Sequence, residues 1–107
     1  MTQINKKQYT SINQIISEAT HAGSHFFEKR TMRFFSSRIL PKIYGGCYFI
    51  TSERDTYRDT NPRHYTIRKY KGNLDIETVG DFCRYDSLAK AKRAVIKIVK
   101  IEEENNG

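Results

Sequence analysis

The sequence lacks most of the patterns on which metal, disulfide and membrane assignments rest. Its only two cysteines, Cys47 and Cys83, lie 36 positions apart, with no CxxC pair and no pair of histidines nearby. Neither a zinc site nor a disulfide framework is therefore expected, and both thiols are predicted to be reduced and buried. No apolar run reaches membrane-spanning length, and the N-terminus has no apolar signal core. We therefore predict a cytoplasmic protein without membrane contact.

Catalytic signatures are missing as well. The sequence has no P-loop, no GxGxxG, no HExxH and no GxSxG. Its three histidines, His21, His25 and His64, are scattered, and a lone histidine is more often structural than catalytic. We predict a protein that is not an enzyme and that has no catalytic residues, no metal site and no cofactor.

The residues that are abundant are basic and aromatic. The chain has 107 residues, which suits one domain, and 19 Lys and Arg against 12 Asp and Glu give a net charge of +7. Six phenylalanines and seven tyrosines can supply a small core. A positive charge of this size indicates attraction to polyanions and says little about fold.

Three helices are predicted from periodicity and capping residues. Residues 1–9 are expected to be a flexible tail, and a first helix follows, with Ser11 to Gln14 as a capping box and Gly23 as its end. A second helix is expected to begin at Ser24 or Thr31 and to end before Pro41. The third helix is capped by Ser87 and is the most strongly patterned, with a frayed acidic end at 102–107.

Strand patterns occupy the middle of the chain. IYGGCYFITSE, from position 43, is rich in aromatic and β-branched residues, with a bend expected at the Gly pair. HYTIRKYKGNLDIETV, from position 64, reads as a hairpin that turns at 71–73. The sequence therefore predicts an α+β fold, a three-stranded antiparallel sheet with helices on one face, in the order α-α-β-β-β-α and as a single domain at 10–101.

The basic residues are segregated along the chain, which is more informative than their number. Residues 29–42 and 63–71 contain lysines and arginines without a single acid, and the last helix adds a third basic set. On that helix Lys90, Arg93, Lys97 and Lys100 fall in one quadrant, opposite an apolar stripe. The ordinary interpretation is a solvated helix face, and the alternative is a binding surface.

The hairpin offers a second candidate surface. Alternation places Tyr65 and Ile67 on one face and His64, Thr66, Arg68 and Tyr70 on the other. If helices cover only the first face, the second exposes basic and aromatic groups that can stack on bases and neutralise phosphates. The alternative is that Tyr70 packs internally and Arg68 is merely solvated.

The segment EKRTMRFFSSR at 28–38 is the third candidate. If it is helical, Met32, Phe35 and Ile39 share one face while Arg30 and Arg33 lie mainly on another. Phe34 and Phe35 are expected to pack in the core. Packing leaves the arginines unexplained, and arginine suits bidentate contact with phosphate or carboxylate.

Several short strings stand out together: HFF at 25–27, TMRFFSSRI at 31–39, YFITSE at 48–53, YTIR at 65–68 and IETVG at 76–80, with the helix entry at 85–87. Together they resemble a family of small uncharacterised proteins encoded by phages, plasmids and other mobile elements, and the similarity covers 24–98. The resemblance implies a bacterial host cell and a setting of accessory factors that includes anti-CRISPR inhibitors. It implies no functional residues.

Two hypotheses follow, and a third is that the basic faces only keep the protein in solution. The first is electrostatic binding of nucleic acid, with Tyr48 or Tyr70 stacking on bases and phosphates neutralised by Arg30, Arg33, Arg38, Arg68, Lys69, Lys90, Arg93 and Lys97. The second is inhibition of a nucleic-acid enzyme, for example a Cas effector, through an interface anchored by arginine and tyrosine. Oligomeric state, nucleic-acid type and target identity are left open.

Overall fold

The computed structural model describes residues 9–34, 37–54, 62–72 and 75–106 and shows an α+β fold. Its helices and strands, in chain order, are α1 (Ile12–His21), α2 (Lys29–Phe34), β1 (Arg38–Ile39), β2 (Tyr48–Glu53), β3 (His64–Tyr70), β4 (Ile76–Val79) and α3 (Leu88–Asn106). The strands form one antiparallel sheet in the order β1-β2-β3-β4. The α+β class and the β3–β4 hairpin are confirmed.

The sheet has four strands rather than the three that the sequence predicts. The additional strand, β1, is only two residues long, and it pairs Arg38 with Ser52 and Ile39 with Thr51. Two residues are too few to show the alternation by which strands are recognised. The predicted second helix accordingly ends early, at Phe34, and Ile39 belongs to a strand. The core packing expected of Phe34 and Phe35 concerns side chains outside the described part.

Helices cover both faces of the sheet, whereas the sequence predicts helices on one. On the first face α3 packs Ala91 and Val95 against Ile50 and Ile67. On the opposite face the core is built from α1, the two aromatic residues before α2, and β2 and β3, through Ile12, Ile15, Ala19, Phe26, Phe27, Phe49 and Tyr70. Every residue of β2 is consequently buried. This second layer determines whether the polar side chains on the central strands are buried or exposed.

The helix ends differ from the predicted ones in detail. Ser11 occupies the N-cap of α1 but its side chain makes no capping hydrogen bond; instead the Gln14 side chain accepts one from the backbone N–H of Thr10 at 2.7 Å. Gly23 follows the helix at φ +106, the left-handed conformation expected there. Ser87 caps α3 as predicted, since its hydroxyl accepts from Lys90 N–H at 3.2 Å.

The last helix extends further than expected, and Tyr9 is packed rather than part of a tail. α3 continues to Asn106, so the acidic residues 102–104 are helical rather than frayed. The flexible tail predicted for 1–9 lies outside the described residues apart from Tyr9, which is buried and packs against Tyr70 with ring centroids 5.4 Å apart. Cys47 is buried as predicted, whereas Cys83 is half-buried.

The turn before β2 brings the chain close to α3. Gly45 has φ +59, and a β-carbon at this position would lie 2.9 Å from both methyl groups of Val99. The Gly pair therefore forms the expected bend and also lets the helix approach the sheet. Within the described part of the chain, no helix is both long and apolar enough to span a bilayer.

Candidate nucleic-acid interface

Two of the residues predicted to contact nucleic acid are buried. Arg68 and Tyr70 are 8% and 3% exposed, and Thr66 beside them is fully buried. The predicted sharing of one face by these residues is correct, but α1 and Phe26 cover that face. The expectation of an exposed basic and aromatic surface on the hairpin is wrong, and Tyr48, 3% exposed on the other face, cannot stack on a base either.

Arg68 has several partners inside the protein. Its guanidinium donates to Glu53, which is fully buried, at 3.1 Å, and to Thr51 and Thr78 at 3.0 and 2.6 Å. The charge also lies over the Phe26 ring, 5.2 Å from its centroid. Cross-strand register explains the arrangement, because Arg68 faces Phe49 on β2 and Thr78 on β4. Arg68 is one member of a buried ion pair, and three of its five N–H donors are occupied inside the protein, so it is not available to a phosphate at the surface.

Lys69 is also used within the fold. Its ammonium donates to Glu102 of α3 at 3.2 Å and lies 5.2 Å from the centroid of the Tyr48 ring, while the Tyr48 hydroxyl donates to the same carboxylate at 2.7 Å. Burial lowers the pKa of Lys69, but the hydrogen bonds with Tyr48 and Glu102 outweigh it and raise the pKa overall. This cluster fastens the end of α3 to the sheet.

The basic residues of α3 point away from the protein. Lys90, Arg93, Lys97 and Lys100, here called the α3 ridge, are all exposed, opposite the buried Ala91 and Val95. Lys90 pairs with Asp86 at 2.9 Å, one turn earlier. The other three form no ion pair within the described part of the chain. At 1.5 Å per residue the ridge is about 15 Å long.

A second basic surface lies between α2 and β1. An open groove of about 310 Å³ is lined by Lys29, Met32, Arg33, Ser37 and Arg38, and we call it the basic groove. Its three cations are exposed and have no hydrogen bond or ion pair with a described residue. Arg30 is also exposed and lies in α2, as Lys29 and Arg33 do.

The groove keeps its shape because α2 and β1 are tied together. Ser37 donates its backbone N–H to the Met32 carbonyl at 2.6 Å, which holds the start of β1 against the end of α2. The Ser37 hydroxyl lies 3.4 Å from the Glu53 carboxylate. Arg38 then follows on the edge strand, opposite Ser52.

Two further arginines, Arg54 and Arg63, were not among the predicted contact residues but lie near Arg38. Arg63 donates to the side chain of Ser52 and, at 2.8 Å, to its carbonyl, so it crosses to the strand position that faces Arg38. Burial lowers the pKa of Arg63, and the positive charges of Arg38 and Arg54 lower it further. Three guanidinium groups are therefore close together. The pairing of β2 with β3 is what brings Arg54 and Arg63 together, because Glu53 pairs with His64 and positions 54 and 63 follow and precede that pair.

The described side chains contain no group of three or more His, Cys, Asp or Glu that could hold a metal ion. Of the predicted contact residues, Arg30, Arg33, Arg38, Lys90, Arg93 and Lys97 are on the surface, and Arg68, Lys69 and Tyr70 are occupied in the interior or half-buried.

Comparison with known proteins identifies a family but no activity. No curated protein and no solved structure matches the chain. One family model, described as a family of unknown function (DUF7447), matches residues 11–96. The match runs from the start of α1 into α3, and therefore includes the sheet and the basic groove. The phage, plasmid or mobile-element setting stays a prediction. Because the match covers most of the chain, this protein belongs to the family of unknown function DUF7447.

Proposed function

We propose that this protein is a non-enzymatic nucleic-acid binder that contacts phosphates through the basic groove and the α3 ridge. The observation that carries the proposal is the set of exposed cations in the groove, Lys29, Arg33 and Arg38, which have no partner among the described residues. Arginines that hold a fold together are paired, as Arg68 is. Cations left unpaired beside other cations repel one another, and a bound polyanion relieves that repulsion.

The burial of the tyrosines changes the expected type of contact. With Tyr48 and Tyr70 inside the core, the hypothesis of base stacking by these residues loses its basis. Arginine and lysine contacts to phosphate carry no sequence information by themselves. We therefore expect binding that depends weakly on base sequence and strongly on salt concentration.

Fluorescence anisotropy of the full chain with labelled single- and double-stranded DNA and RNA tests the proposal. Binding should weaken steeply between about 50 mM and about 200 mM salt. Arg33→Gln in the groove and Arg93→Gln on the ridge should each reduce the slope of log affinity against log salt concentration by about 1.

Lys71→Gln is the matched control, because it removes one exposed positive charge that belongs to neither basic surface. Lys71 lies at the end of β3 and pairs with Glu77 at 3.7 Å. It should leave the salt slope nearly unchanged. Absence of binding to all four nucleic acids at the lower salt concentration would refute the proposal. Equal losses in all three variants would show that total charge matters and the two surfaces do not.

The alternative, an inhibitor that binds a Cas effector or another nuclease, lacks a distinguishing observation. The large apolar side chains exposed in the described part are Phe82, Ile96 and Ile101. Single exposed apolar residues are normal on monomeric proteins, so these three do not by themselves indicate a protein interface. The inhibitor hypothesis would become the leading one if nucleic-acid binding failed.

A further inference from the structure

The two basic surfaces differ in shape. The α3 ridge is the outward side of a helix, whereas the groove is a shallow, open depression with a volume of about 310 Å³. A ridge can follow a nucleic-acid backbone at any position along it. The groove instead gathers Lys29, Arg33 and Arg38 around one place, so its lining indicates which group it would hold.

The lining of the groove matches a phosphate group that carries more than one negative charge. Lys29, Arg33 and Arg38 are all exposed around it, and Arg63 lies behind Arg38. A phosphodiester within a strand carries one negative charge, whereas a phosphomonoester carries about −1.5 to −2 near pH 7. Two guanidinium forks and an ammonium suit the higher charge, because each arginine can donate two parallel hydrogen bonds to phosphate oxygens.

The remaining two lining residues fit the rest of such a ligand. The Ser37 hydroxyl donates to Glu53 at 3.4 Å, a long hydrogen bond between oxygens that a closer phosphate oxygen can replace. Met32 is half-buried and offers an apolar, adaptable surface to a sugar or base.

We infer that the basic groove binds the terminal phosphate of a nucleic-acid strand, with Lys29, Arg33, Arg38 and Ser37 contacting the phosphate and Met32 contacting the terminal nucleoside. The inference rests on the proposed function and adds a preference for phosphorylated ends. The α3 ridge then contacts internal phosphates of the same ligand without regard to its ends.

The experiment compares one duplex in three forms, with a 5′-phosphate, with a 3′-phosphate and with hydroxyl groups at all ends. Anisotropy competition at fixed ionic strength measures the three affinities for the wild-type chain. We expect one of the phosphorylated forms to bind about tenfold more tightly than the hydroxyl form, the size expected of one or two added charge-assisted hydrogen bonds.

Two groove variants and one ridge variant separate the end preference from general binding. Arg33→Gln and Arg38→Gln should bring the ratio of affinities for phosphorylated and hydroxyl ends close to one. Lys97→Gln removes the same charge from the ridge, so it should weaken binding of every form while preserving the ratio. Both groove arginines are exposed, and circular dichroism checks that the variants fold.

A wild-type ratio of one, with all three duplexes bound, would overturn the inference and leave the proposed function intact. No binding of any duplex would overturn both. A nucleoside monophosphate serves as an additional competitor. If it displaces the phosphorylated duplex at equal concentration, the site recognises a free phosphomonoester and the assignment to strand ends is wrong.

Discussion

The β3 strand and the α2–β1 segment both present arginine in acid-free stretches of sequence, yet the fold treats them in opposite ways. Arg68 on β3 is 8% exposed, ion-paired with Glu53 and stacked between aromatic rings. Arg33 and Arg38 are exposed and have no partner among the described residues. β3 is a central strand with layers on both sides, whereas α2 and β1 lie at the sheet edge. Position in the layers therefore decides whether an arginine is structural or available.

The largest loss of stability is expected when the buried arginine of this comparison, Arg68, is replaced. Arg68→Gln leaves the Glu53 carboxylate, which is fully buried, without its ion partner. Removal of one member of a buried pair costs about 3–5 kcal/mol, and the free energy of unfolding should fall by that amount in urea denaturation followed by circular dichroism. Arg33→Gln is the matched change on the exposed side, and it should alter stability by no more than about 0.5 kcal/mol.

Similar stabilities for Arg68→Gln and Arg33→Gln would contradict the buried network. A double variant, Arg68→Gln with Glu53→Gln, removes both charges and should recover part of the loss, because no isolated charge then remains inside. A double variant less stable than Arg68→Gln alone would show that the charge of Glu53 serves another partner.

The next effect appears in alkali. Burial, together with a hydrogen bond to Glu18, raises the pKa of Tyr70 from 10.0 to about 12. The folded state therefore prefers the neutral phenol, and its contribution to stability is complete below pH 10 and is lost as the pH rises toward 12. Each such tyrosine should lower the free energy of unfolding by about 1.4 kcal/mol per pH unit in that interval, measured by urea denaturation.

Tyr70→Phe tests the source of this pH dependence. The variant lacks the ionising group, so its stability should fall less steeply between pH 10 and 12 than that of the wild type. Part of the pH dependence of stability should remain in the variant, because burial also raises the pKa values of Tyr9, Tyr44 and Tyr48. An unchanged slope would mean that Tyr70 does not ionise on unfolding in this range.

The smallest effect concerns the intermediate case, a lysine that is half-buried. Glu102→Gln keeps a hydrogen-bond acceptor for Tyr48 but loses the ion pair with Lys69, where the side chains are 22% and 30% exposed. We expect a loss of about 1 kcal/mol in thermal or urea unfolding. Glu77→Gln, in the more exposed pair with Lys71, is the control and should cost less. The reverse order would show that α3 is not fastened at Glu102.

Local patterns predicted the elements whose signal lies in neighbouring residues. The 3.6-residue period of LAKAKRAVIKIVK identified both α3 and its outward basic ridge, and two-residue alternation grouped Thr66, Arg68 and Tyr70 on one face. The strand β1 was not predicted, because two residues are too few to show a period. Glu102 was predicted to lie in a frayed acidic end at 102–107, whereas here contacts with Tyr48 and Lys69 hold it.

The sequence by itself determined the α+β class, the β3–β4 hairpin, the helical amphipathicity and the excess of positive charge, since each depends on composition or on residues a few positions apart. Only the tertiary structure decided which basic residues are accessible. Coverage of the second sheet face comes from α1 and Phe26, more than 40 positions before Arg68, and the approach of Arg38, Arg54 and Arg63 comes from strand pairing. Contacts between distant positions follow from packing of whole layers, and no local periodicity encodes them.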